Sequence, residues 1–169
     1  MKQILKYILA QVMESLKIAE NKHGLILALN SGLVVITIGF FSSSIKIIVV
    51  LNWLVILFAC LSIFCCFLGL FSRSIKMDLK IKDENNVSLL YYKDLMNFTP
   101  EGLLKCIIIN YNLPKDYNYD GFEYDLSKQI IANSKVAYNK YIFFNFSLIF
   151  LSIALTLDLI LMALVGVIS

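Results

Sequence analysis

Three long stretches of the sequence carry almost no charged side chains, and this feature limits what the chain can fold into. Gly24 to Phe41 gives 18 uncharged residues, Ile47 to Phe71 gives 25, and Tyr141 to Ser169 holds a single charge, Asp158. A helix needs about 20 predominantly apolar residues to cross a membrane. Only 16% of the 169 residues are charged, against about a quarter in soluble domains. The sequence therefore predicts an integral membrane protein with three transmembrane helices.

These stretches divide the chain into four segments. We predict an amphipathic cytosolic helix over 1–22, a transmembrane hairpin over 23–71 with its turn at 42–46, a cytosolic helical segment over 72–140, and a C-terminal transmembrane helix over 141–169. The first segment is assigned from apolar residues that recur with the 3.6-residue period of a helix. The predicted fold class is an all-α integral membrane protein, with a transmembrane hairpin, a C-terminal span and a helical cytosolic segment.

Local signals in the central segment predict two short helices and one long helix. The short ones are "SLLYYKDLMNF" and "TPEGLLKCIIINYN", the second with Thr99 as N-cap and Pro100 at its first position. The stretch "MDLKIKDENNVS" is predicted as a loop. The stretch "FEYDLSKQIIANSKVAYNKY" predicts a helix that continues into the last apolar stretch. The charged cluster "ENKH" at 20–23 contains no helix breaker, so a helix is also predicted to run through it into the first span.

The distribution of basic residues predicts the orientation. The amino-terminal segment carries four lysines, residues 72–140 carry ten of the fifteen basic residues, and the hairpin turn carries one. Because loops rich in lysine and arginine stay on the cytoplasmic side, we predict a cytoplasmic amino terminus and central segment. The formal net charge of +3 is too small to indicate binding to nucleic acid.

The residue inventory argues against catalysis and metal binding. The chain has one histidine and four cysteines without the spacing of a metal site. It also lacks the glycine-rich phosphate-binding motifs. We therefore predict no catalytic residues, no metal ligands and no cofactor, and a protein that is not an enzyme.

The first span combines small residues with one amide. Gly24, Ala28 and Gly32 recur every fourth residue, which predicts a face along which another helix can approach closely. Asn30 must find hydrogen-bond partners, because an unsatisfied polar group in hydrocarbon costs several kcal/mol. Two roles stay open for Asn30, an interhelical structural bond or a position lining a pore.

Three further groups of polar residues are candidates for function. Asp158 is predicted either to lie at the outer interface or pair with Lys46, or to line a polar pathway through an oligomer. Glu20 and Lys22 either lie at the membrane interface with helix-pair contacts or relay the state of the cytosolic segment to the first span. At the entrance of the last helix, a polar surface is either simply solvated or recognises a neighbour or a small anionic ligand; its residues include Asp125, Gln129, Lys135 and Lys140.

Three stretches, taken together, resemble the transmembrane effectors of Pycsar, a bacterial anti-phage defence system. They are "AENKHGLILALNSGL", "VSLLYYKDLMNFTPEGLL" and "YDLSKQIIANSKVAYNKY", which lie in this order along nearly the whole chain. The residues that match the first and last motifs of that family are Glu20, Lys22, Asn30, Asp125, Gln129, Lys140 and Tyr141.

The resemblance implies a function. In that family a cytidylate or uridylate cyclase answers infection by making cyclic CMP or cyclic UMP, and the effector then impairs the inner membrane, which halts growth by abortive infection. It implies a multi-pass protein of the bacterial inner membrane whose partners are the lipid bilayer, the nucleotidyl cyclase and further copies of itself. The chain has no room for a separate cyclic-nucleotide-binding β-roll, so residues 72–140 and the first helix bind the nucleotide, or a partner does.

Two other functions fit the same residues. A constitutive small membrane subunit could scaffold a larger complex, and a holin-like pore could lyse cells without any nucleotide. Membrane leakage that requires the cyclase distinguishes the effector from both.

Overall fold

The computed structural model describes residues 1–39, 45–72, 88–114 and 116–168, and within these ranges it contains helices and no strands. The five helices are α1 (Lys2–Ile38), α2 (Lys46–Leu70), α3 (Tyr92–Leu95), α4 (Pro100–Asn110) and α5 (Gly121–Ile168). Three of them, α1, α2 and α5, are long and apolar enough to cross a membrane. The predicted all-α membrane fold with three spans is confirmed.

Both long helices run through charged sequence into an apolar stretch. α1 passes through the cluster at 20–23 without a break, and α5 continues from its polar first half into the last apolar stretch, as predicted. The predicted turn at 42–46 and the predicted loop at 77–88 lie mostly outside the described residues.

The chain forms two compact units, and each of the long helices contributes to both. We call Met1–Ala19 with Ser72–Lys140 the polar unit, and Glu20–Phe71 with Tyr141–Ser169 the spanning unit.

The polar unit has its own hydrophobic core. Leu5, Ile8 and Val12 of α1 are buried there with residues of α4 and α5 such as Leu103 and Ile130. Helix α4 begins as predicted: Pro100 is its first residue, and the Thr99 hydroxyl accepts a hydrogen bond of 3.1 Å from the Gly102 amide. This cap satisfies one of the amides that a helix start leaves without a partner.

The start of α5 is fixed by a capping box. The Asp120 carboxylate accepts a 2.9 Å hydrogen bond from the Glu123 amide, and the Glu123 carboxylate accepts one of 3.1 Å from the Asp120 amide. Glu123 also accepts a 2.9 Å bond from the Tyr117 hydroxyl. The Lys2 ammonium lies 2.6 Å from the other Asp120 oxygen and holds the pKa of that carboxyl below its usual range. These contacts tie the first residues of α1 to the start of α5.

Replacing Asp120 with alanine is expected to lower the thermal unfolding midpoint of the purified protein, because it removes both the cap and the partner of Lys2. A carboxyl with a lowered pKa stabilises the fold above its unfolded pKa and loses that effect as the pH falls through its folded value. The difference between wild type and variant, followed by circular dichroism in detergent, should therefore be present at pH 7 and shrink below about pH 4. Asp116→Ala, at a nearby exposed aspartate, is the control. A difference of the same size for Asp116→Ala would contradict this role of the cap.

The interior of the spanning unit follows a regular spacing. Buried positions alternate three and four residues apart on each helix, which is the period of helices packed in a left-handed bundle. They are His23, Ile26, Asn30, Leu33 and Thr37 on α1; Ile48, Asn52, Val55, Ala59, Ser62, Cys66 and Gly69 on α2; and Ser147, Leu151, Ala154, Asp158 and Leu161 on α5.

The outer surface of the spanning unit is apolar. Large exposed side chains include Leu29, Val35, Trp53, Phe64 and Leu159. The interior, in contrast, holds a regular set of buried polar side chains: His23, Asn30, Thr37, Asn52, Ser62, Ser147 and Asp158. This arrangement, with apolar residues outside and polar residues inside, is typical of a bundle surrounded by lipid.

Candidate functional site

The middle of the spanning unit holds a hydrogen-bonded layer that joins all three helices. The Asn30 amide nitrogen donates to the Ser62 hydroxyl at 2.9 Å and to the Ile26 carbonyl at 2.9 Å. Ser62 and Ser147 each donate to the other's backbone carbonyl at 2.9 Å. The structure thus buries Asn30 completely and gives it a partner on another helix of the same chain. Close approach of α2 and α5 at this level is possible because both residues are small.

A second layer lies toward the Glu20 end of the spanning unit. The His23 ring is buried and meets the Phe144 ring edge-on, with centroids 6.0 Å apart. An added Cβ at Gly69 would lie 2.4 Å from the His23 ring, so only glycine fits there. The Lys22 ammonium lies 5.1 Å from the centre of the Tyr141 ring and 5.2 Å from that of Phe144. These cation–π contacts join α1 and α5 where the two helices enter the spanning unit.

A third layer contains the intramembrane carboxyl. Asp158 is 4% exposed, and its carboxyl forms a hydrogen bond with the Thr37 hydroxyl. Asp158 forms no ion pair with any residue that the structure describes, and Lys46 lies exposed at the start of α2. Asp158 is therefore hydrogen-bonded to a hydroxyl on α1 and does not form the predicted ion pair with Lys46.

The predicted face of small residues is open. Gly24, Ala28 and Gly32 are exposed, and an added Cβ on either glycine would meet no atom within 4 Å. Asn30 lies on the opposite side of α1, toward the bundle interior. The small face is therefore left unoccupied by the other helices of the spanning unit, whereas the amide is used within it.

The polar unit contains an open cavity of about 370 Å³ between the start of α4 and the middle of α5. Small-molecule sites have volumes of about 300–1,000 Å³. Two lysines and one aromatic ring line the cavity, together with the capped start of α4. The lining residues are Phe98, Thr99, Pro100, Lys128, Ile131, Ala132 and Lys135.

The chemistry of this cavity suits a small organic anion. Lys128 and Lys135 supply two positive charges, and the amino end of α4 adds a partial positive charge. The Phe98 ring offers an apolar surface to a flat group. Nearby, the Tyr124 hydroxyl donates a 2.6 Å hydrogen bond to Glu101, which lowers the pKa of that carboxyl. The Lys128 ammonium lies 4.3 Å from the Tyr124 ring centre and 3.6 Å from Asp125.

The other candidates for ligand binding or coupling are dispersed. Asp125 and Gln129 are exposed on α5, and Glu20 is exposed on α1. Lys140 is buried at the end of the polar unit and interacts with other residues. Of the six predicted residues, only Lys135 lines the cavity.

Several polar residues of the bundle interior were not among the residues predicted from the sequence. They are Thr37, Asn52, Ser62 and Ser147. Their spacing could have indicated that they are buried. Ser62 lies ten residues from Asn52 and seven from Val55 and Gly69, which continues the three-and-four alternation of buried positions on α2. Within the described residues no cluster of three potential metal-binding side chains occurs.

A comparison with protein families gives one match over nearly the whole chain. The model of the family described as Pycsar effector protein domain covers residues 4–168. No curated protein and no solved structure matches the sequence. The matched range includes all three helices that can cross a membrane and the polar unit with its cavity. The chain therefore belongs to the Pycsar effector family, and it is a membrane member of that family.

Proposed function

We propose that the protein is a Pycsar effector of the bacterial inner membrane that is activated by cyclic CMP or cyclic UMP and then impairs the membrane, so that an infected cell stops growing. The observation that carries this proposal is the family match over residues 4–168 of a chain with three potential membrane spans. A nucleotidyl cyclase supplies the ligand, and the bilayer is the target.

The cavity of the polar unit is the proposed nucleotide site. A cyclic pyrimidine nucleotide combines one negatively charged phosphate with a flat base. Lys128 and Lys135 would bind the phosphate, and the Phe98 ring would contact the base.

The open face of α1 is the proposed assembly surface. Gly24, Ala28 and Gly32 would let an α1 helix of a second copy approach closely. Glu20 and Lys22 lie on α1 between the polar unit and this face. We propose that they help to pass a change in the polar unit to the span.

Activation then requires two states of the protein. A ligand shifts an equilibrium only by its difference in affinity for the two states. In this proposal the nucleotide binds more tightly to the state in which the small faces of neighbouring subunits pack together, and the resulting oligomer leaks. Both α1 and α5 contribute residues to the polar unit and to the spanning unit, so the chain itself connects the nucleotide site to the spans.

The test is expression in cells with and without the cognate cyclase, followed with a membrane-potential dye and a dye that enters only leaky cells. Depolarisation only when the cyclase is active is the expected result. Leakage without the cyclase would instead indicate a holin-like pore. Stable co-purification with another membrane complex and no leakage would indicate a scaffold subunit. Reporter fusions at residue 1 and within 88–114 should both report the cytoplasm.

A further inference from the structure

The third polar layer of the spanning unit places oxygen-bearing side chains from three helices at one level. Thr37 of α1 contacts Asp158 of α5 directly. Asn52 of α2 reaches the same level by register. Ser62 faces Ser147, and the order of the layers shows that α2 runs antiparallel to α5. A residue about ten positions before Ser62 therefore faces a residue about ten positions after Ser147. That residue of α5 is next to Asp158.

The polar atoms of this layer are not saturated. Asn52 is fully buried, and neither its amide oxygen nor its amide nitrogen has a hydrogen-bond partner among the described residues. The same holds for one oxygen of Asp158. A buried polar group without a partner destabilises the fold, and a buried charge without a counter-charge does so more strongly. The charge of Asp158 can be removed by a proton or balanced by a cation, and a cation can also bind the amide oxygen of Asn52.

A small cation fits the available groups. The layer offers a carboxylate, a hydroxyl and an amide oxygen, which are hard oxygen ligands that suit alkali and alkaline-earth ions. It offers one negative charge only, so a single monovalent ion makes the layer neutral. Ionisable groups inside membrane bundles commonly mark the paths and binding sites of ions.

We propose that Asp158, Thr37 and Asn52 form a binding site for a dehydrated monovalent cation, Na⁺ or K⁺, inside the spanning unit. The site goes beyond the proposed function, because it needs neither nucleotide nor assembly. The cation neutralises Asp158 and gives the unpartnered oxygens of Asp158 and Asn52 a ligand.

Thermal unfolding of the purified full-length protein in detergent tests this site. The midpoint is measured at constant ionic strength while choline chloride is exchanged for NaCl or KCl. Because a ligand that binds only the folded state stabilises it in proportion to the logarithm of its concentration above Kd, the wild-type midpoint should rise steadily with one or both alkali ions. In Asp158→Asn, which keeps the size of the side chain but removes the charge, the rise should vanish.

Two further variants keep the experiment decisive. Thr37→Val removes one ligand and retains the shape, so it should shift the response to higher cation concentration even if Asp158→Asn does not fold. Thr156→Val removes an exposed hydroxyl from the same part of α5 and should respond as wild type does. Equal midpoints in choline, Na⁺ and K⁺, or an unchanged response in both Asp158→Asn and Thr37→Val, would overturn the proposal. A midpoint that depends on pH but not on the alkali ion would show that the layer holds a proton instead.

Discussion

Replacing Lys128 and Lys135 together with glutamine is expected to weaken the binding of cyclic CMP and cyclic UMP by about tenfold or more, since the two lost charge-assisted contacts to phosphate together cost at least about 1.4 kcal/mol. The two ammonium groups line the same cavity, and no other lysine among the described residues does so. Glutamine keeps a similar length and a hydrogen-bond donor, so the loss isolates the charge. Isothermal titration calorimetry on the detergent-solubilised protein measures the effect, and growth arrest in cells that express the cyclase should decline with it.

The matched control removes two positive charges elsewhere in the polar unit. Lys93 and Lys105 are exposed and lie outside the cavity lining. Lys93→Gln with Lys105→Gln gives the same net charge as the test variant, so it corrects for the general attraction of an anion to a basic protein. If both double variants bind the nucleotide as tightly as wild type, the cavity is not the site. If both lose affinity equally, attraction is general and no site has been located.

The membrane fold could be predicted because its signals are local. A stretch of 18 to 29 residues with at most one charge predicts a span wherever it occurs, and α1, α2 and α5 each contain most of one predicted stretch. Thr99 followed by Pro100 predicts a helix start from two adjacent residues, and α4 begins there. The apolar period of the first segment likewise predicts the buried face with Leu5, Ile8 and Val12.

The interior polar layers could not be predicted from single residues. A serine in an apolar helix can satisfy its hydroxyl on the carbonyl four residues earlier, as Ser31 and Ser152 do on exposed positions. Ser62 and Ser147 look the same in the sequence, yet they bond to each other across two helices. Only the three-and-four spacing on both helices, combined with the pairing of the helices, distinguishes the two kinds of serine.

The cavity required knowledge of tertiary packing. Lys128 and Lys135 are seven residues apart, so they share a face of α5. Their meeting with the start of α4 depends on how α4 packs on α5, through residues such as Leu103, Leu104 and Ile131. The predicted residues on this part of α5 included Asp125 and Gln129, which are four residues apart. Both are exposed and lie outside the cavity lining.

Replacing Gly32 with leucine is expected to restore colony formation in cells with an active cyclase to the level seen without the cyclase. The exposed position of Gly32 gives the added side chain free space within the subunit, so folding and expression should be unchanged. Between subunits, the same side chain would keep two α1 helices apart, because close packing in lipid depends on small residues at the contact. Colony counts, an immunoblot of the membrane fraction and cross-linking in membranes measure survival, expression and assembly separately.

Two other substitutions to leucine serve as controls for this experiment. Ser152→Leu adds a side chain of the same kind at an exposed position of α5 and should leave growth arrest intact. Gly69→Leu places the side chain against the buried His23 ring, where even a Cβ would lie at 2.4 Å, so it should reduce the amount of folded protein. Cells that express Gly69→Leu would survive only because little folded protein is left. Survival of cells with a normal amount of the Gly32→Leu protein instead indicates that the substitution breaks a contact made only between subunits. Undiminished toxicity of Gly32→Leu would rule out this face as the assembly surface, since no contact inside the subunit could mask the change.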